Sequence, residues 1–294
     1  MGPILFNVTM AKVHKIPYYK DTATLSYADD ILLIAGLNTS DVNDDYNKIN
    51  DGISMMSKEV IEAGLEFNRN KTQSLLISNK HDRNIIKHDI ESKIEVSGTK
   101  INVNTELKYL GIILDESLNF AKHVQYMKSK ILKYYNLFKA LYGNKYGLTY
   151  KNRKILYQAI YNSITSYCSL AYFPKLTQIQ INDLKSLQRK LLINIASGYR
   201  TISFSAIYCI TGEPPIDIKI NCRNEIRELT RYDENMERSE LRNGIQEITQ
   251  KAVERWQGEY ENAVTGRHTY KIVPDVRYVY ETKIGKQTST SLKL

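Results

Sequence analysis

A chain of 294 residues, 42% hydrophobic and 25% charged, is long enough to bury a sizeable core in two or more subdomains, which excludes a disordered protein. Its formal charge of +9 and isoelectric point near 9.2 favour a polyanionic partner, nucleic acid before a membrane surface. No apolar run is long enough to span a bilayer, no secretory leader opens the chain, and Phe6 stands where a myristoylation signal wants Ser or Thr. The three cysteines, Cys168, Cys209 and Cys222, are too widely spaced for a disulfide framework or a zinc motif, and read as buried thiols in a reducing compartment.

In chain order, Gly2-Pro3-Ile4-Leu5-Phe6-Asn7-Val8 reads as the end of a buried element. Two short apolar runs between Ala23 and Ala35 flank an acidic tip, the pattern of a β-hairpin. From an N-cap at Thr39 or Ser40, Val42, Tyr46, Ile49, Ile53, Met56 and Val60 recur at helical spacing, and Gly64 closes the helix. Leu65–Asn68 and Thr72–Ile77 read as strand segments, and Ser78–Lys93 as an exposed loop. A hairpin around Gly98 then leads to Leu107–Leu114.

After Asp115 the pattern becomes helical, with Phe120, Val124, Met127, Ile131, Tyr134, Phe138 and Leu141 on one stripe and Lys122, Lys128, Lys130, Lys133 and Lys139 on the other faces. Further helices are expected over Tyr150–Tyr172 and Asn182–Ala196, making a small bundle that also carries Lys185, Arg189, Lys190 and Arg200. Singly, each lysine is a solvated helix face; as a group they favour a nucleic-acid cleft. Gly212-Glu213-Pro214-Pro215 breaks the pattern, Arg223–Arg255 forms one or two helices, and the polar tail Glu281–Leu294 is expected to be poorly ordered.

The hairpin tip carries the unusual chemistry. Adjacent carboxylates at Asp29 and Asp30 repel, and a divalent cation relieves the repulsion; hard oxygen ligands on a rigid turn suit Mg²⁺. An isolated Asp-Asp turn more often binds nothing. The context reverses that balance, because Tyr27-Ala28-Asp29-Asp30 between apolar flanks resembles the Y-x-D-D hairpin of reverse transcriptases, and further matches follow in order. Gly2–Asn7 resembles the motif that supports the incoming nucleotide, and Gly64–Asn68 with Lys71-Thr72 the next palm motif. Tyr109-Leu110-Gly111, with Leu114-Asp115 and His123, is similar to the primer-grip hairpin, although His123 by itself reads as a surface helix residue. Leu187-Gln188-Arg189, Gly198–Thr201, Gly212–Pro215, Trp256-Gln257, Gly266-Arg267 and Pro274–Val276 are similar to jockey-like arthropod elements of the non-LTR, LINE-type class.

The resemblance implies an α+β fold: a partial polymerase palm, an antiparallel sheet with a packed helix, over residues 1–115. An all-α thumb over 116–205, a connector over 206–280 and the tail 281–294 follow. It implies RNA-directed DNA synthesis by two-metal nucleotidyl transfer to a primer 3′-hydroxyl, with an RNA template, a DNA primer and dNTP as partners and no membrane. Asp29 and Asp30 become the Mg²⁺ ligands and Lys71 the proton donor to pyrophosphate. Tyr27, Tyr109, Leu110, Gly111, Lys122, Lys130, Lys133 and Arg189 become nucleic-acid contacts, and nuclear access is implied. The family also uses an aspartate from an earlier palm strand, which this reading places upstream of Met1. Asp21 is no substitute, since eight extended residues set it roughly 26 Å along the strand from Asp29. The fingers, a leading endonuclease and a Cys/His knuckle are missing too, so the expectation is a truncated copy that does not polymerise alone. A binding fragment and an inert relic are the competing readings, and oligomeric state is open.

Overall fold

The computed structural model describes residues 2–14, 16, 21–37, 42–68, 70–96, 98–139, 147–232 and 237–280. It is an α+β chain, mostly helical with small sheets, in two compact units, Met1–Leu118 and Asn119–Leu294. The tail Glu281–Leu294, the expected N-caps Thr39 and Ser40, and Leu141 lie outside the described residues. Among the described residues no helix is long and apolar enough to cross a membrane.

The first unit opens with α1 (Gly2–His14), which buries Met10 and Val13 but leaves Ile4 and Val8 exposed, so its start is less buried than its composition suggests. Strands β1 (Thr22–Tyr27) and β2 (Asp30–Ala35) form the expected hairpin, in a register pairing Thr22 with Ala35 and Tyr27 with Asp30. Helix α2 (Val42–Glu62) follows, with Tyr46, Ile49, Met56 and Val60 buried. Gly64 closes it at φ +74, a left-handed conformation that costs glycine little, while Leu65 donates its N–H back to the Val60 carbonyl at 3.0 Å.

Two expectations fail beyond this point. Leu65–Asn68 is irregular, and Thr72–Ile77 contributes only β3 (Ser74–Leu75), which pairs in parallel with β6 (Val103–Asn104). The stretch expected as an exposed loop is largely helix α3 (Lys80–Lys93), capped by the Asn79 side chain accepting the Asp82 N–H at 3.0 Å. Ile86 and Ile90 of the helix and Ile94 at its C-cap are buried four residues apart, a narrow stripe that the surrounding charges mask. The hairpin of β4 (Glu95–Val96) and β5 (Thr99–Lys100) turns through Gly98, and β7 (Glu106–Tyr109) pairs with β8 (Ile112–Asp115). In place of one antiparallel sheet, the described residues hold four two-stranded ladders.

Two apolar clusters hold this unit. Tyr46, Ile49, Leu76, Ile86, Ile90, Ile94 and Val103 form one; Met10, Val13, Ile16, Met56 and Val60 form the other. Leu33 of β2 packs against both, and Ile31 against the second, so the inner face of the hairpin is pinned to α1 and α2.

In the second unit α4 (Ala121–Lys139) buries Val124, Met127, Ile131 and Tyr135, with Phe120 just ahead of it. The inward tyrosine is Tyr135, and Tyr134, expected inside, is exposed, because a straight 3.6-residue helix carries the stripe one position further after Ile131. Helix α5 (Tyr150–Tyr157) continues through a π-helical turn (Gln158–Asn162) into α6 (Ser163–Ser166), then breaks before α7 (Ser169–Tyr172). Helix α8 (Gln178–Ala196) starts earlier than expected, in a capping box between Thr177 and Gln180. There follow α9 (Phe204–Thr211), α10 (Ile216–Tyr232), α11 (Arg238–Glu261) and α12 (Arg267–Ile272). All three cysteines are free thiols, Cys209 buried and the others partly so.

Candidate functional site

The site is built on the turn between β1 and β2. Two residues, Ala28 and Asp29, connect strands paired at Tyr27 and Asp30, and Ala28 sits at φ +51, where a side chain is disfavoured. Tyr27 and Asp30, directly opposite in the ladder, share its outer face, and both are exposed, as is Asp29. Leu25 and Ile34 extend that outer face with exposed apolar surface. A pair of exposed carboxylates is thus set beside an aromatic ring, on a turn whose other face is anchored in the core.

Asp21 lies at the opposite end of this hairpin, accepting the Gly36 N–H on its backbone carbonyl at 2.8 Å, one step beyond the Thr22 and Ala35 pair. It does not join the tip. Among the described residues no group of three or more His, Cys, Asp or Glu side chains is placed to hold a metal. The donor chemistry of Asp29 and Asp30 fits Mg²⁺, which takes one or two carboxylates and completes its shell with water and phosphate oxygens.

Lys71 is set by Asn68, a residue that the sequence placed in a strand segment and in the motif with Lys71-Thr72 but to which it gave no role of its own. The Asn68 carbonyl accepts the N–H of Lys71 and of Thr72, each at 3.0 Å, as well as the Thr72 hydroxyl, while its side chain accepts the N–H of Asn70. Lys71 is exposed on this turn, and among the described residues no ion pair or hydrogen bond joins it to Asp29 or Asp30.

Tyr109 ends β7, and Leu110 and Gly111 form the two-residue turn into β8, with φ +45 and φ +85. Both torsions are positive, as a type I′ hairpin turn requires, yet the first position is a leucine instead of the favoured Asn or Gly. Behind this hairpin Arg83, itself buried, pairs with Glu116 and donates to the carbonyls of Ser78 (2.5 Å) and Glu116 (3.0 Å), tying α3 to the end of β8.

On α4, Lys122, Lys130 and Lys133 are exposed and fall within about 80° of one another around the helix axis. Lys130 lies over the Tyr126 ring at 6.0 Å, so the face mixes cations with an aromatic. Lys128, off that face, pairs with Asp183 at 2.8 Å. His123, read from sequence as a surface residue, is buried; its ring meets Tyr172 edge-on at 4.9 Å and stacks beside Tyr126. Burial pushes its pKa down to about 4, so it is neutral at physiological pH.

Arg189 is held within its own unit. Its Nε and Nη2 donate to the Ile202 carbonyl and its Nη2 to that of Arg200 (2.6 Å), and the guanidinium lies 5.2 Å from the Phe204 ring. It ties the loop before α9 to α8. Sequence reasoning also passed over a buried charge network at Glu213, which pairs with Lys154 (3.1 Å) and Lys219 (2.7 Å) and accepts from Gln158. Burial raises the Glu213 pKa, but the two ammonium groups outweigh it and hold the carboxyl below its usual range. Gln188 completes the anchor, donating to the Pro214 carbonyl and accepting the Ile216 N–H at 2.9 Å.

Comparison with known proteins returns one family model and several similar proteins. Residues 1–114 match the family model of the reverse transcriptase (RNA-dependent DNA polymerase). The chain is similar to the retrovirus-related Pol polyprotein from type-1 retrotransposable element R1 of Bradysia coprophila, 26% identical over 65% of this chain and 20% of that protein. It is also similar to the corresponding polyprotein of element R1 2 from Nasonia vitripennis, 24% identical over 94% of this chain and 70% of the relative. The putative 115 kDa protein in element R1DM of Drosophila melanogaster is 21% identical over the whole chain and 29% of its own length. The chain thus spans about a fifth of the Bradysia relative, and no solved structure matches it.

Proposed function

We propose that this chain, which resembles the LINE-type, non-LTR reverse transcriptases, serves RNA-directed DNA synthesis, with an RNA template, a DNA primer and dNTP as its partners. The observation that carries this is the hairpin tip. Tyr27-Ala28-Asp29-Asp30 forms a two-residue turn with both carboxylates exposed, inside the segment that matches the reverse transcriptase family.

In this reading residues 1–115 are palm, 116–205 thumb and 206–280 connector. Asp29 and Asp30 would hold Mg²⁺, which supplies Lewis-acid stabilisation of the phosphoryl oxygens and of the attacking 3′-oxygen. The chain's own side chains do the rest. The outer face of the hairpin, with Tyr27, Leu25 and Ile34, receives the base and sugar of the primer end. Lys71, set by the Asn68 turn, gives a proton to the departing pyrophosphate. The Tyr109, Leu110 and Gly111 turn steadies the primer backbone, and Lys122, Lys130 and Lys133 contact phosphates without reading sequence. Arg189 supports its loop, and its contact with nucleic acid is indirect.

Phosphoryl transfer depends almost wholly on positioning and charge, and two carboxylates are a partial cage. Catalysis in this reading therefore draws on a third carboxylate outside the described residues, and the chain alone is silent in primer extension. The test is Mg²⁺-dependent dNTP incorporation on a primed RNA, comparing this chain with a version joined to the preceding segment of an R1 relative. Incorporation only by the joined version, lost on Asp29→Ala, is the expected result. Incorporation by the chain alone overturns the third-carboxylate argument, and silence in both overturns the polymerase reading.

The α4 face favours a second reading, a module that grips nucleic acid without chemistry. Salt-sensitive binding in a chain whose joined version stays silent would select it.

A further inference from the structure

Helix α10 carries Lys219, Arg223, Arg227 and Arg231 at successive four-residue steps, one stripe along its surface. Lys219 is neutralised by Glu213. The next two are not paired in this way: among the described residues no carboxylate forms an ion pair with Arg223 or Arg227. Both converge instead on the break between α6 and α7. Arg223 Nη1 donates to the Ser166 hydroxyl at 2.9 Å, and Arg227 Nη1 donates to the Ser166 carbonyl at 3.0 Å and to the Ser169 hydroxyl at 3.4 Å. Two guanidiniums are thereby held side by side on one residue. Arg223 is exposed, and partial burial together with the neighbouring Arg227 charge lowers its pKa.

A purely structural role would need only the donors that reach the helix break. A guanidinium has five N–H donors, and these contacts use one nitrogen of each. Two like charges fixed together without a counter-charge favour an anion, and the planar fork of arginine suits phosphate. Tyr167 lies in the chain between the two serines that the arginines contact, and its side chain is 50% exposed. An exposed aromatic one residue along the chain from Ser166, which both arginines contact, favours a nucleic-acid strand over an acidic peptide or a free phosphate, because bases stack on such rings. From Arg223 to Arg231 the stripe runs about 12 Å, the axial length of three to four nucleotides of one strand.

We propose that Arg223, Arg227 and Arg231 of α10, with Tyr167, form a binding site for single-stranded nucleic acid. The arginines take successive phosphodiesters and the tyrosine takes an unpaired base. The site lies wholly in the second unit and does not rest on the polymerase reading of the β1–β2 hairpin.

The test is fluorescence anisotropy of a labelled oligouridylate, an oligodeoxythymidylate and a duplex of equal length, titrated with the whole chain across a salt series. Arg223→Gln with Arg227→Gln should weaken single-strand binding about tenfold or more, and reduce the log–log salt slope by about 1.4. Tyr167→Ala should weaken binding to the single strands and leave the duplex unchanged. If the double variant melts early, Arg231→Gln carries the test, with a slope reduced by about 0.7. Unchanged affinity and slope in a well-folded variant would overturn the proposal. So would displacement by polyglutamate as readily as by oligonucleotide, or an absence of binding by the unaltered chain. Primer extension reads the hairpin and this titration reads α10, so either can fail while the other stands.

Discussion

Leu110 and His123 are single positions where local rules and tertiary context disagree. At Leu110 a γ-branched side chain occupies φ +45 in a type I′ turn, at a cost of about 1 kcal/mol, and such strain tends to sit where a chain contacts its ligand. Leu110→Asn should raise stability by about that amount in urea unfolding, and weaken primer binding if the leucine side chain is part of the contact. An unchanged midpoint would show that the turn is unstrained. His123 gives a pH signature. Its folded pKa near 4 lies below the unfolded value near 6.5, so between those values the unfolded chain binds more protons. Its contribution, up to about 3 kcal/mol, is fully present above pH 6.5 and is lost as pH falls toward 4. His123→Phe should flatten that part of the stability profile, and an unaltered slope in the variant would remove His123 as its source.

Elements show how far local patterns reach. Helix α2 was legible because Tyr46, Ile49, Met56 and Val60 repeat at helical spacing on a polar background and a left-handed Gly64 stops them. Helix α3 was not, because its stripe is two isoleucines and the Ile94 cap among Lys, His, Asp and Arg, and its helical state depends on the facing cluster with Tyr46, Ile49 and Val103. The Thr177 and Gln180 capping box is a sequence signature that the reading of α8 missed by starting at Asn182. Thr177→Ala should cost about 1 kcal/mol in thermal unfolding; a loss within measurement error would mean that packing alone fixes the start of α8. The hairpin of β1 and β2 was legible because two short apolar runs and the acidic tip between them all lie within fourteen residues.

At the scale of the molecule, the two compact units make a separable prediction. Residues 119–294, with their own buried set from Phe120 to Val276, should express as a cooperatively folding fragment with native-like helix content. A molten fragment, with dye-binding surface and no near-ultraviolet signal, would show that the second unit needs the first. Features that depend on near neighbours in the chain are legible without any structure: the acidic hairpin tip, the helical stripe of α2, the basic character and the likeness to LINE-type reverse transcriptases. Tertiary structure decided what depends on contacts across tens of residues. It buried His123 under Tyr172, turned Arg189 onto the Ile202 carbonyl, closed the Glu213 network between Lys154 and Lys219, and set Arg223 and Arg227 on Ser166. The reason is physical. Turn and helix signals arise from backbone torsions and spacings within a few residues, whereas the burial of a titratable group and the partner of a charge are set only when distant elements meet.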